Sequence, residues 1–183
     1  MNRRRIIERR ARIFLGCEGE SEQGYGAFLQ RLADESRLNV HVLPVNLQPA
    51  GDPLALTEKV VRTYAREEKK GRFAGKVILL DADRLEERPD RGHRALRLLM
   101  LEGFTTIWQR PDHEGLLLRH FAGHDNDDPP RGSSMTALQA VWPSYHKNVS
   151  AVDLKRALSL IHVQRAARVI PELRALMTMI GLA

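Results

Sequence analysis

The chain has 183 residues, the size of one ordinary domain and too short for a multidomain machine. Hydrophobic residues supply 43% and charged residues 28%, enough for a real core and too apolar for wholesale disorder. Lys plus Arg is 29 against 23 for Asp plus Glu, a formal net charge of +6, which fits a polyanionic partner such as nucleic acid and says nothing about fold.

In chain order, residues 1–10 read as a basic arm. Arg3, Arg4, Arg5, Arg9, Arg10 and Arg12 form either a phosphate-contacting track or a solubilising terminus, and no apolar stretch of signal-peptide length follows them. Residues 11–17 (ARIFLGC) are a short apolar run closed by Gly and acids, the pattern of a buried strand. Residues 23–36 place Phe28, Leu29, Leu32 and Ala33 at helical spacing. Residues 40–45 are β-branched and read as a second strand. Asp52-Pro53 is a helix start, an acid at the cap and Pro at the first position, for a helix carrying Leu54, Leu56, Val60, Val61 and Tyr64. Residues 76–80 are a third strand running into Asp81-Ala82-Asp83. A helix over 91–102, a fourth strand over 104–108 and a helix over 112–121 follow.

Strands alternating with helices at this rhythm predict right-handed βαβ units and a mainly parallel four-stranded α/β sheet with helices on both faces. The core spans residues 11–122. Residues 123–134 (GHDNDDPPRGSS) are a polar loop, and 135–183 are a helical C-terminal region with Pro143 and Pro171 as breaks or starts. That region reads as a cap on the sheet or, being rich in Leu, Ile and Met, as a homodimer contact. The single cysteine, Cys17, allows no intramolecular disulfide, and apolar runs such as 77–80 and 98–101 fall far short of the roughly 20 residues of a membrane span. The expectation is a cytoplasmic protein with no membrane partner.

In open parallel sheets, ligands bind beyond the carboxyl ends of the strands. Two such ends carry acids: Glu18, Glu20 and Glu22 after the first strand, Asp81 and Asp83 after the third. Like charges gathered at one edge repel unless a cation lies between them, and hard Mg²⁺ or Mn²⁺ suits oxygen ligands. Acids after strands also serve as helix caps and loop punctuation.

Glu18-Gly19 after an apolar strand, the second acid Glu22, and Asp81-x-Asp83 after a later strand resemble the Toprim signature. Within that superfamily the chain resembles the RloB family, which is associated with bacterial and phage-defence loci. CEGESEQGYGAF (17–28), GDPLALTEKVV (51–61), RPDHEGLLLRHF (110–121) and YHKN (145–148) carry the likeness, which covers about residues 11–160. It implies a Toprim-like Rossmannoid fold and metal-dependent phosphoryl transfer, read as nuclease activity on DNA or RNA, and leaves room for an activating defence partner. It also implies metal ligands at Glu18, Glu22, Asp81 and Asp83, with Glu18 as ligand or general base. Glu114 matches the glutamate of the family's Asn-Pro-x-Phe-Glu-x-Trp segment. That segment departs here, with Arg110 for Asn, His113 for Phe, and Gly115 and Leu116 for the pair after Glu. Lys147, in the family's Tyr-x-Lys context, would neutralise charge developing on the phosphoryl group.

Rival motifs are weaker. Gly24-Tyr25-Gly26 lacks the third glycine of a dinucleotide fingerprint, and the acids before it would repel a pyrophosphate. Asp81-Ala82-Asp83 echoes the dehalogenase-type phosphatase pair, but that pair follows a first strand and Leu85 stands where Thr or Val continues it. His113, His120 and His124 have metal-like spacing but read better as part of a solvated polar loop, with Gly123 between them and no Cys to help. Lys155, Arg156, Arg165 and Arg168 are either a basic track or the wet face of helices whose Leu154, Leu158 and Ile161 pack inward. Trp108 and Trp142 read as core. The alternative to an enzyme is a noncatalytic module that binds nucleic acid or a protein in defence.

Overall fold

A computed structural model describes residues 9–49 and 51–183, excluding the side chain of Glu86; Arg3, Arg4 and Arg5 lie outside the described residues. The chain runs β1 (Ala11–Cys17), α1 (Glu20–Glu35), β2 (Val40–Asn46), α2 (Pro53–Glu68), β3 (Gly75–Asp81), α3 (Asp83–Glu87), α4 (Pro89–Leu101), β4 (Thr105–Gln109), α5 (His113–Leu118), α6 (Ser134–Val141), α7 (Ala151–Ala157), α8 (Leu160–Val169) and α9 (Pro171–Ile180). The four strands form one parallel sheet in the order β2-β1-β3-β4. The connection from β1 goes outward to β2, and the next crosses back over β1 to β3. The switch in direction therefore falls between β1 and β3, where their carboxyl ends leave a crevice.

Strand alternation divides the core into two layers. Ile13, Leu15, Cys17, Val77, Leu79 and Ile107 face one layer, built with α1, α5 and the C-terminal helices. Phe14, Ile78 and Leu80 face the other, under α2 and α4, where Phe14 meets Tyr64, Phe73 and Phe104 edge-on at 5.4, 5.6 and 6.3 Å. The C-terminal region is a cap: Leu154, Leu158, Val163, Leu173, Leu176, Met177 and Ile180 are buried in the first layer. Ile161 does not pack inward as expected; it is 67% exposed, turned to solvent by its place in α8. Trp142 is core and Trp108 packs against the second layer.

Local chemistry sets the helix ends. Asp52 accepts from the backbone N–H of Leu54 and of Ala55 at 3.1 Å each, Pro53 occupies the first position, and Asp112 caps α5 by accepting from Gly115 N at 3.0 Å. Several of the described basic residues are engaged in structure. Arg10 pairs with Asp34 at 3.2 Å, Arg12 donates to Gly71 O and lies over the Phe73 ring, Lys155 pairs with Glu35 at 2.7 Å, and Arg165 donates to His120 O at 2.9 Å. Arg12 thus belongs to the sheet, not to a free arm. No helix among the described residues is long and apolar enough to cross a membrane.

His120 is fully buried, which overturns its reading as solvated loop. Its Nδ1 faces Leu116 O at 3.0 Å, so that nitrogen carries the proton, and Nε2 accepts from Tyr25 Oη–H at 2.9 Å. Burial pushes its pKa from 6.5 down to about 4. The unfolded imidazole takes up a proton near pH 6.5 and the folded one only near pH 4. Stability from this group is therefore complete above 6.5 and lost as the pH falls towards 4. Across that window the wild type should lose about 3 kcal/mol more than His120→Gln, which keeps a polar partner for Tyr25. Urea midpoints at a series of pH values check this, and parallel profiles for the two proteins would refute it.

Candidate functional site

Glu18 is the first residue past β1, and Asp81 is the last of β3, so the two acids flank the crevice between the central strands. α1 begins two residues after Glu18, with Gly19 extended at the cap. Glu22 reaches back to accept from Gly19 N at 3.0 Å, so one of its oxygens is spent on the helix start. The β3 end is pinned to the β4 end by Ala82 N donating to Gln109 O at 2.9 Å and Asp83 N to Pro111 O at 3.2 Å. Together these segments shape a cleft of about 170 Å³ lined by Glu18, Glu22, Asp81, Arg84, His113, Glu114 and Lys147, among others.

The acids in this cleft are held out of water: Glu18 is 5%, Glu22 6% and Glu114 7% exposed. Glu18 Oε1 is paired with Arg84 Nε at 2.8 Å, whereas Glu18 Oε2 and Asp81 Oδ1 are buried with no hydrogen-bond partner among the described residues. Burial, opposed by Arg84 and reinforced by Glu22, raises the Glu18 pKa. Burial and the neighbouring Glu18, Glu22, Asp112 and Asp83 push Asp81 up to about 9. The Glu18 charge makes ionisation of Asp81 harder. A cation beside them would favour the ionised form of both.

Five of the six candidate residues, Glu18, Glu22, Asp81, Glu114 and Lys147, line this cleft. Glu114 accepts from Tyr145 Oη–H at 3.0 Å, and burial, together with the Glu114 charge, holds the Tyr145 phenol well above its ordinary pKa. Lys147 is exposed at the cleft. Its segment crosses α1, anchored by Asn148 N donating to Ser21 Oγ at 3.0 Å and by Gly24, whose missing side chain leaves room for the Val149 carbonyl. The second glycine, Gly26, serves the same end: a Cβ there would sit 2.7 Å from Pro44 Cβ and 2.8 Å from Leu15 Cδ2. These glycines are packing glycines.

Asp83 is the candidate that does not join them. It opens the unforeseen helix α3, and its Oδ2 meets Arg131 Nε at 3.2 Å in an adjoining cavity lined also by Arg110 and Asp128. Burial raises its pKa and Arg131 opposes the rise. Arg84 and His113 are among the cleft residues to which the sequence does not point. Arg84 sits in a charged stretch without helical periodicity, and nothing in the sequence ties it to Glu18. His113, read with a polar loop, is only 3% exposed and lines the cleft. His124 does stay on that loop, with Nδ1 at 2.7 Å from Asp127.

The donor set fits a hard divalent cation: two carboxylate oxygens, buried and unpartnered, with the Glu18 charge raising the Asp81 pKa. It is not a complete cage, since no group of three or more His, Cys, Asp or Glu among the described residues has the arrangement of a preformed metal site. Mg²⁺-type sites are commonly of this kind, one or two carboxylates with substrate phosphate oxygens and water completing the shell. No family model, no curated protein and no solved structure matches this chain, so its own residues carry the functional argument.

Proposed function

We propose that the chain is a Mg²⁺- or Mn²⁺-dependent nuclease of the Toprim type that cleaves nucleic-acid phosphodiesters, serving phage defence as the RloB likeness implies. The observation that carries this reading is the pair Glu18 Oε2 and Asp81 Oδ1, two buried oxygens without partners at the crevice of a parallel sheet. These two side chains would hold the cation, with Glu22 close by. When bound, the cation polarises phosphoryl oxygens and activates water for attack. Lys147, exposed at the cleft, offers positive charge to the phosphate, and the net charge of +6 favours encounter with a polyanion. Tyr145 fixes the Glu114 carboxylate, leaving its second oxygen for a water or a substrate hydroxyl.

The test is turnover on a mixed panel of DNA and tRNA with Mn²⁺, Mg²⁺ or excess chelator. Cleavage only with metal is expected. Equal cleavage in chelator overturns the metal role, and no cleavage of any substrate under any metal overturns the nuclease reading.

One observation favours a second reading, a nonhydrolytic module that binds nucleic acid or a protein. Arg84 already occupies Glu18 Oε1, and Arg131 occupies Asp83. Anomalous Mn²⁺ density between Glu18 and Asp81 supports the enzyme. Nucleic-acid affinity that survives Glu18→Gln with Asp81→Asn, without turnover, supports the module.

A further inference from the structure

Three residues that line the acidic cleft each carry a buried polar atom without a partner among the described residues: Glu18 Oε2, Asp81 Oδ1 and His113 Nε2. The carboxylate oxygens suit a cation. The imidazole nitrogen has no part in the reading above.

The His113 ring is fixed on two sides. Gln109, the last residue of β4, lies with Nε2 at 2.5 Å from His113 Nδ1, and the Tyr25 ring meets it edge-on at 5.9 Å. With the Gln109 amide oriented this way, its N–H donates and Nδ1 accepts, and Gln109 Oε1 is left buried without a partner among the described residues. A neutral imidazole that accepts at Nδ1 carries its proton at Nε2. A protonated nitrogen has no lone pair for a cation; it is a donor. It sits 3% exposed in a cleft whose other buried unpaired atoms are acceptors. A buried N–H without an acceptor is costly to keep, and a phosphodiester brings the acceptor that is missing.

We infer that His113 is a catalytic residue that donates its Nε2–H to a phosphoryl oxygen of the bound phosphodiester. Gln109 is the positioning residue that sets the tautomer. This assignment rests on the nuclease reading, and it adds to it a direct substrate contact from α5. Two donors of different kind, a neutral N–H and the Lys147 ammonium, would then share the negative charge that builds up on the phosphoryl group.

The test compares wild type, His113→Phe and His113→Gln in the full chain, each characterised first by thermal midpoint and by its stabilisation in Mn²⁺. Phe keeps a ring and loses both nitrogens; Gln keeps an N–H donor. In single-turnover cleavage with Mn²⁺, His113→Phe should fall about a hundredfold in rate at saturating nucleic acid, with Mn²⁺ stabilisation unchanged, and His113→Gln should stay within about tenfold of wild type. Wild-type rates in His113→Phe overturn the inference and leave the nuclease reading standing. Loss of Mn²⁺ stabilisation in His113→Phe makes His113 a metal ligand and also overturns it, as does a His113→Gln variant that folds and is as slow as Phe. A wild type that cuts nothing defeats the nuclease reading instead. The contact is then read from Mn²⁺-dependent retention of the same DNA and tRNA, which should weaken about tenfold in His113→Phe, and unchanged retention refutes it.

Discussion

Asp81→Asn is expected to lose about a thousandfold or more of metal-dependent cleavage while making the folded chain more stable. The two effects have one cause. Folding places the carboxylate in a buried cleft beside Glu18 and Glu22, which raises its pKa from 3.8 to about 9. Between those values the folded chain keeps a proton that the unfolded chain has released. Stability from this group is therefore fullest near pH 4 and is lost as the pH rises towards 9. An amide does not ionise and is spared that loss. The advantage of Asp81→Asn should be near zero in acid and reach about 2 kcal/mol at mildly alkaline pH, less than the full shift implies because Asp81 is only partly buried. Mn²⁺ should stabilise the wild type in the same alkaline range and leave Asp81→Asn unmoved. Thermal melts across pH, with and without Mn²⁺, check all three statements. A variant that is less stable than wild type at alkaline pH would show that Asp81 is held by a partner rather than strained by its neighbours.

Gly24→Val should cost about 3 kcal/mol of stability and most of the cleavage activity. In an exposed helix, replacing Gly stabilises by up to about 1 kcal/mol, so the sign here depends on what the new carbon meets. It meets the carbonyl of Val149, backbone that a rotamer change cannot move aside. The crossing segment must lift, taking with it the Asn148 anchor on Ser21 and the Lys147 ammonium two residues away. Gly24→Ala should show the same loss in smaller measure. Urea midpoints and turnover measured together decide it. Full activity in a folded Gly24→Val would remove Lys147 and its segment from the working site.

The sheet was legible because burial on both faces leaves continuous apolar runs; each of the four strands begins and ends within a residue or so of its sequence reading. Glu18 and Asp81 were legible for the same reason, since strand ends in a parallel sheet share one rim. What failed was anything set by side-chain direction. Asp83 follows Asp81 by two residues, but α3 starts there and swings its carboxylate to Arg131. The stretch DRLEE is too charged and too short to show helical periodicity, so that helix left no trace. His113 and His120 were submerged by the polar run that follows them. Their burial comes from Tyr25 on a distant helix, a contact no local window contains.

The order β2-β1-β3-β4 also governs which changes in chain length the protein can absorb. The two central acids belong to neighbouring strands, and everything between them, from α1 through α2, loops out and returns. Residues added or removed in the connections after β2 or after α2 would leave the spacing of Glu18 and Asp81 untouched, because pairing such as Gly16 with Ile78 sets it. A single residue inserted within β3 would instead turn Asp81 to the opposite side of the sheet. Lineages descending from this chain should therefore vary freely in loop size and almost never in the number of residues between Gly75 and Asp81.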